Sequence, residues 1–361
     1  MNRRNFVTGL SVTLAAGLPF RSFAQAGSPF SLSGEHPLQR AWQAWKRLCL
    51  NEDGRVIDAP QSGASHSEGQ GYGLRLAATF GDEEAFRRIL EWTESSLALR
   101  EDGLLSWRYL PGSGDPVPDQ NNAADGDLFY AWALIQGGIL WNEPGFHERA
   151  RVIGRALEQG CLAAHPDGSD RKYLLPAAYG FTSDDGITLN PSYCMPRAMR
   201  ELGMFAEAPG LILAARDGLD LMAAIAGSAL PPDWLRLTAE GPADAPGLSS
   251  NCGYDALRIP LYLCWSGMTA TPMQTRFRDA HRTAPVSAGT PTVFDRGTGQ
   301  VREVSDQPGY GALVALNDCV LSGIAGAAMP DFDAEQPYFP ATLHLMALVA
   351  QAEFFPKCLP V

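Results

Sequence analysis

Eleven stretches of this chain space their apolar residues three and four positions apart, and that helical period constrains the fold more than any other feature. They run Pro37–Leu50, Glu68–Phe80, Glu83–Leu99, Asp127–Trp141, Phe146–Ala164, Ser192–Met204, Leu211–Ala226, Tyr254–Trp265, Pro272–Arg282, Gly309–Ile324 and Pro340–Phe354. In the third, Phe86, Ile89, Leu90, Trp92, Thr93 and Leu97 share one side. A stripe of that kind has to be buried against a partner. Credible strands are few, and no short self-similar repeat points to a conventional solenoid. Connections alternate between short, as at Gly81-Asp82, and long, as over 100–125 and 230–253. Long loops in a compact domain tend to be functional. The expectation is an all-α chain of helical hairpins set around a centre, with the long loops forming a cleft on one face.

Length alone would divide 361 residues into two domains. No Pro/Gly/Ser-rich linker, charge block or low-complexity stretch interrupts residues 27–361, so we read them as one domain, large enough to bury a core without staples. Residues 1–26 read as a cleaved signal peptide. Arg3 and Arg4 lead into an apolar stretch from Phe6 to Phe20, and Ala24-Gln25-Ala26 supplies a small-x-small cleavage site. The paired arginines before Asn5, Phe6 and Val7 fit the twin-arginine route, with an ordinary Sec signal as the alternative. A periplasmic or secreted location is expected either way. No membrane insertion is expected after signal removal, because the most apolar later runs, Leu211–Leu230 and Gly311–Met329, contain Arg216, Asp217, Asp220 and Asp318.

A formal charge of −12 argues against a nucleic-acid partner, which needs a basic face. Seven cysteines are scattered singly without a C-x-x-C pair. They read as buried small hydrophobes rather than a disulfide framework, and folding before export would favour reduced thiols. Six histidines show no ligand spacing with one another or with cysteine, so no metal is expected.

Four motifs carry the chemistry. Ser65-His66-Ser67-Glu68-Gly69-Gln70-Gly71-Tyr72-Gly73 packs three glycines into five positions at a helix start. Each costs about 1 kcal/mol against alanine inside a helix, so something must approach the backbone closely. Glu68 is then placed to touch a ligand, or is simply a helix-start charge favoured by the macrodipole. Asp125-Gly126-Asp127 opens another helix, where one aspartate is expected to cap and the other to be free. In Gly253-Tyr254-Asp255-Ala256-Leu257-Arg258-Ile259-Pro260, Asp255 and Arg258 are three apart and share a helical face, a geometry equally suited to an ion pair. Asn190-Pro191-Ser192-Tyr193 puts a phenol at a helix entrance, or is a Pro-initiated cap.

Taken together, in this order and spacing, the motifs resemble glycoside hydrolase family 8, in particular the periplasmic endo-β-1,4-glucanases that accompany bacterial cellulose synthesis. The resemblance implies an (α/α)6 barrel of six inner and six outer helices with an open cleft, one helix more than the periodicity supplies. It implies Glu68 as proton donor, Asp255 as proton acceptor, and Asp125 as the acid that binds and distorts the sugar beside the scissile bond. Tyr193 and Arg258 match groups near the nucleophilic water and the base. No cofactor is implied, and the partner is a β-glucan, to which the chain's negative charge is indifferent. A functional link to a cellulose synthase complex comes from the resemblance alone.

Inversion needs a protonated carboxyl and an ionised one roughly 6.5–9.5 Å apart. Glu68 is therefore expected in the more apolar or acidic surroundings and Asp255 beside the cation Arg258. Sugar C–H faces pack on flat aromatics. Trp107, in the loop between the first two motifs, is the first candidate, with Asp127 and Tyr72 as further substrate contacts. Trp42, Trp45, Trp92, Trp132, Trp141 and Trp265 read as core, and Trp234 is open. Other activities of the same family, on chitosan, xylan or mixed-linkage glucan, stand as alternatives, as does a glucan-binding protein without turnover. A lyase would want a basic cleft, which the composition does not show.

Overall fold

The computed structural model describes residues 29–285 and 288–359; residues 1–26, read above as a signal peptide, lie outside them. Eleven α-helices occupy the described residues: α1 Gln39–Cys49, α2 Ser67–Thr79, α3 Glu83–Ser96, α4 Ala124–Leu140, α5 Pro144–Gly160, α6 Pro196–Phe205, α7 Pro209–Ala226, α8 Ile259–Trp265, α9 Pro272–Thr283, α10 Pro308–Ser322 and α11 Tyr338–Phe354. Each predicted segment is found. The largest boundary errors, of four or five residues, fall at the end of α5, where Leu162–Ala164 is a strand, and at two motifs. Asn190-Pro191-Ser192-Tyr193 and Ala256-Leu257-Arg258 form 3-10 turns ahead of α6 and α8 instead of continuing them.

The hairpins are arranged in two layers. α2, α4, α8 and α11 are buried around nearly their whole circumference. α1, α3 and α5 bury one face only. The central helices are even-numbered up to α8 and odd at α11, so the outer–inner alternation slips once between them. That slip is the missing twelfth helix: residues 323–337 contain none. The buried apolar side chains form one continuous cluster.

Trp42, Trp45, Trp132 and Trp265 are almost wholly inside. Trp42 stacks on Trp45 at 5.2 Å, and the Trp45 indole donates to Thr342 on α11. The buried Arg75 guanidinium lies 4.1 Å over Trp132 and 5.3 Å from Trp265, in cation–π contact with both.

Two expectations are corrected. Ten short strands, β1 Ser65–His66, β2 Arg108–Tyr109, β3 Leu162–Ala164, β4 Lys172–Leu174, β5 Thr182–Ser183, β6 Gly186–Leu189, β7 Leu235–Thr238, β8 Gly241–Asp244, β9 Thr290–Phe294 and β10 Val301–Ser305, pair antiparallel in the long connections. They are two to five residues long, too short for an alternating pattern to show. Cys319 and Cys358 form a disulfide, tying α10 to the segment after α11, while the other five cysteines are free.

Candidate active site

Two glycines decide where the acids sit. A Cβ on Gly71 of α2 would lie 2.9 Å from the Gly126 carbonyl and from the Tyr130 amide of α4; one on Gly126 would lie 2.3 Å from Ser67 Oγ and 2.6 Å from the Glu68 amide. The close approach expected from the glycine-rich motif is thus that of a neighbouring helix, not of a ligand. Backbone against backbone, α2 and α4 bring Glu68 and Asp125, both in first helical turns, to one spot.

The third acid arrives by a different element. Asp255 stands on the turn before α8, and three residues on Arg258 is 1% exposed. Its guanidinium gathers the site. Nη1 donates to Glu68 Oε2 and to the Tyr72 hydroxyl, Nη2 to Asp255 Oδ1 at 2.7 Å and to Ser192 Oγ at 2.7 Å, and Asp125 Oδ2 is 3.5 Å from Nη1. Arg258 therefore lies between Glu68 and Asp255, not beside Asp255 alone as the sequence suggested. The Glu68 and Asp255 side chains keep 21% and 33% exposure, so both reach solvent.

Three carboxyls around one guanidinium would carry a net −2 if all were ionised, and in a buried setting such a cluster retains a proton. Burial, and then the neighbouring Glu68, push Asp125 well above the usual carboxylate range. Its Oδ1 accepts from the Gly126 amide, while Oδ2 is buried without a hydrogen bond. Burial also raises Asp255; Arg258 opposes this, Asp233 and Glu68 add to it, and the nearby Asn190 amide favours the charged form.

The loop carrying Trp107 is pinned beside Glu68. β1 pairs with β2, and the Ser67 amide donates to the Trp107 carbonyl at 2.9 Å. The half-buried Trp107 ring lies near His66, at 5.9 Å, and under the Arg108 guanidinium at 4.3 Å. Across the site, Tyr193 is 5.9 Å from the Arg258 guanidinium and 6.3 Å from Trp234, which stacks on Phe181 at 5.9 Å. Beside Asp255, the exposed Tyr254 meets Tyr310 and Phe339 at 6.0 and 6.5 Å and donates to Glu303.

Two residues expected to touch substrate lie deeper. Tyr72 is 1% exposed and hydrogen-bonded to Tyr262 and Arg258, so it supports the guanidinium from below. Asp127 is fully buried, accepting from the Leu105 amide at 2.8 Å and the Asn122 side chain at 2.9 Å. It anchors the start of the Trp107 loop, and neither Asp125 nor Asp127 caps α4, whose N-cap is Ala123. Burial pushes Asp127 up to about 7 against those bonds. Ser192, Asp233 and Tyr254 were not singled out from the sequence. Ser192 lay within the Asn190 motif and Tyr254 beside Asp255, so position was a signal for both; Asp233 had none. Among the described residues no group of three or more His, Cys, Asp or Glu side chains is placed to hold a metal ion.

With this geometry in hand, comparison with known proteins places the chain. Residues 22–353 match glycosyl hydrolases family 8. A probable endoglucanase from Novacetimonas hansenii is 36% identical over 318 residues, 86% of this chain and 90% of the relative. The structure of the endo-β-1,4-glucanase CMCax from Acetobacter xylinum superposes with a TM-score of 0.78 at 32% identity, covering 88% of this chain and 98% of that one. The Klebsiella pneumoniae endoglucanase Cel10 gives the same TM-score at 30% identity, over 87% and 99%. The fold is accordingly the all-α (α/α)6 barrel of these relatives, and the chain belongs to glycosyl hydrolase family 8.

Proposed function

We propose that residues 27–361 are one catalytic domain, an endo-acting, inverting β-1,4-glucanase in which Glu68 is the general acid and Asp255 the general base. The observation that carries this reading is the single guanidinium of Arg258, which gathers Glu68, Asp255 and Asp125 from three separate elements into one solvent-reaching cluster. Glu68 protonates the leaving glycosidic oxygen. Asp255 takes a proton from the water that attacks the anomeric carbon from the opposite face, and the configuration there inverts. Asp125 is the acid this reading assigns to the distorted sugar at the scissile bond; it is 2% exposed, so its Oδ2, which has no hydrogen-bond partner, takes a sugar hydroxyl only once substrate binding uncovers it. Arg258 fixes the two reacting carboxyls relative to each other, and Tyr193 and Trp107 contact the chain of sugars. No step calls for a metal or organic cofactor.

Endoglucanase relatives at 36% and 32% identity support cellulose and its soluble derivatives over chitosan or xylan. Trimming of nascent cellulose beside a synthase rests on the resemblance to the endoglucanases of cellulose-producing bacteria. No helix among the described residues is long and apolar enough to cross a membrane. The paired arginines near the N-terminus and the Cys319–Cys358 disulfide support export to the periplasm or beyond, where thiols oxidise.

The test is reducing-end release from carboxymethyl-cellulose, with viscosity followed in parallel, for the parent and for Glu68→Gln and Asp255→Asn. Rapid viscosity loss by the parent and a drop of about 10²–10⁴-fold in each folded variant are expected. Cleavage of chitosan or xylan in preference to the cellulose derivative would move the substrate assignment. A parent inert on all three polymers that still binds cello-oligosaccharides would replace it with the binding protein.

A further inference from the structure

Below the base sits a carboxylate to which the mechanism above assigns no part. Asp233, in the Pro231-Pro232-Asp233-Trp234 segment ahead of β7, is 7% exposed. Its Oδ1 accepts from three backbone amides at once, those of Gly253 at 3.0 Å, Asp255 at 3.1 Å and Ala256 at 3.0 Å, while Oδ2 accepts from Ser249 Oγ at 2.9 Å. The segment is itself clamped: the Asp233 amide donates to the Asn251 carbonyl at 2.7 Å and the Trp234 amide to that of Ser249 at 3.0 Å. Gly253 leaves no room for a side chain, because a Cβ there would stand 2.6 Å from Asp233 Oδ2. Among the described residues no Lys, Arg or His forms an ion pair with Asp233. A buried carboxylate held by three peptide dipoles and a hydroxyl, with no cation beside it, directs its charge at its surroundings.

We propose that Asp233 is a positioning residue for the base: its three amide contacts lock the turn that aims Asp255, and its uncompensated charge offsets the pull of Arg258 on the Asp255 carboxyl. This rests on the proposed role of Asp255. The balance follows from the groups around that carboxyl. Arg258, from its own turn, favours the ionised form, as does Asn190. Glu68 from α2 and Asp233 from beneath disfavour it, and Asp125 from α4 and the Tyr193 phenol complete the surroundings. A base held only by an arginine would be weakly basic and slow to take a proton from water. A second carboxylate behind it restores basicity without entering the sugar's space.

Asp233→Asn isolates the charge. Its amide oxygen can still accept from the three backbone amides, and its NH2 can donate to Ser249 Oγ, so the turn is retained. Selectively 13C-labelled aspartate, with the Asp255 signal assigned from Asp255→Asn, reports the titration of that carboxyl whether or not the enzyme turns over. Loss of Asp233's charge removes a raising influence, so the Asp255 midpoint moves to lower pH by on the order of half to one unit. The acid-side limb of kcat/KM on carboxymethyl-cellulose moves with it, and kcat falls several-fold with KM little changed. Ser249→Ala loosens the same carboxylate but keeps its charge, so its limb stays in place. An Asp255 midpoint in Asp233→Asn equal to that of the parent, or an equal shift in Ser249→Ala, would overturn the inference. If the midpoint moves in Asp233→Asn while the parent cleaves no glucan, the coupling stands and the proposed function fails.

Discussion

Gly126→Ala adds one methyl group at the α2–α4 crossing, and its consequences follow from three distances. The new Cβ would lie 2.3 Å from Ser67 Oγ, 2.6 Å from the Glu68 amide nitrogen and 2.7 Å from the Ser67 carbonyl carbon, where ordinary contact begins at 3.4 Å. Two of those atoms are backbone, so rotation of a side chain cannot relieve the clash; the head of α2 must move by on the order of 1 Å. Overpacking of this kind costs about 1–3 kcal/mol and sometimes more, while exchanging glycine for alanine within a helix returns about 1 kcal/mol of propensity. Because two of the contacts are with backbone the upper half of that range applies, and the net expectation is a loss of roughly 1–2 kcal/mol, read as a fall of a few degrees in Tm. Activity should suffer more than stability, because the displaced backbone carries Glu68, and a 1 Å misplacement of a reacting group can cost about 10²-fold. Differential scanning calorimetry and reducing-end assays on the same preparation test both halves. Gly160→Ala is the control: that glycine ends α5, and its added Cβ would meet only the Ala178 methyl at 3.8 Å. A Gly126→Ala protein that melts and turns over like the parent would refute the claim that this crossing positions the acid.

Three further outcomes are expected. Arg258→Lys leaves a point charge able to serve one acid but not the fork that serves Glu68, Asp255 and Ser192 together, so kcat should fall by about 10²-fold or more in a protein that still folds; an unchanged kcat would remove the guanidinium from the mechanism. Thiol titration of the unfolded, unreduced protein should count five free cysteines, and Cys319→Ser should cost about 2–4 kcal/mol in chemical denaturation, since the bridge closes a loop of sequence separation 39. Asp127 holds its proton up to about 7 in the folded state, above its unfolded value, so protonation contributes stability that is full in acid and is lost as pH rises through about 7. The stability of the parent relative to Asp127→Asn should therefore decline from pH 4.5 to pH 8; a difference independent of pH would contradict the buried-acid reading.

How much of this was legible beforehand depended on the range of the signal. Most helices announce themselves over ten or more residues, and all eleven were placed, the outer ones by an apolar stripe and α2, α4, α8 and α11 by runs that are apolar nearly all round; strands of two to five residues carry no such period. The glycines of Glu68–Gly73 told that something approaches the backbone, yet Gly126, 55 positions after Gly71, is visible as the partner only once the helices are packed. Asp127 shows the same gap from the other side. Its place in an acidic motif suggested a sugar contact, and only the fold reveals the Leu105 amide that takes its oxygen inward. Arg258 was read from its spacing as a neighbour of Asp255, which it is, but local spacing could not show that its other nitrogen reaches Glu68, 190 positions away. Asp233 stands 20 residues before the turn it supports, with no motif of its own. The cysteine pairing failed for a similar reason, since scattered single cysteines look alike until the segment after α11 folds back on α10.

The central claim is that Glu68 and Asp255 act on opposite faces of one β-1,4 bond through a water. Proton NMR of the anomeric region during the first minutes of cello-oligosaccharide hydrolysis, faster than mutarotation, tests it most directly. The account predicts that the new reducing ends appear as the α-anomer and drift later toward equilibrium. Initial release of the β-anomer would mean retention through a covalent intermediate, and the assignment of Asp255 as a base acting on water would be wrong.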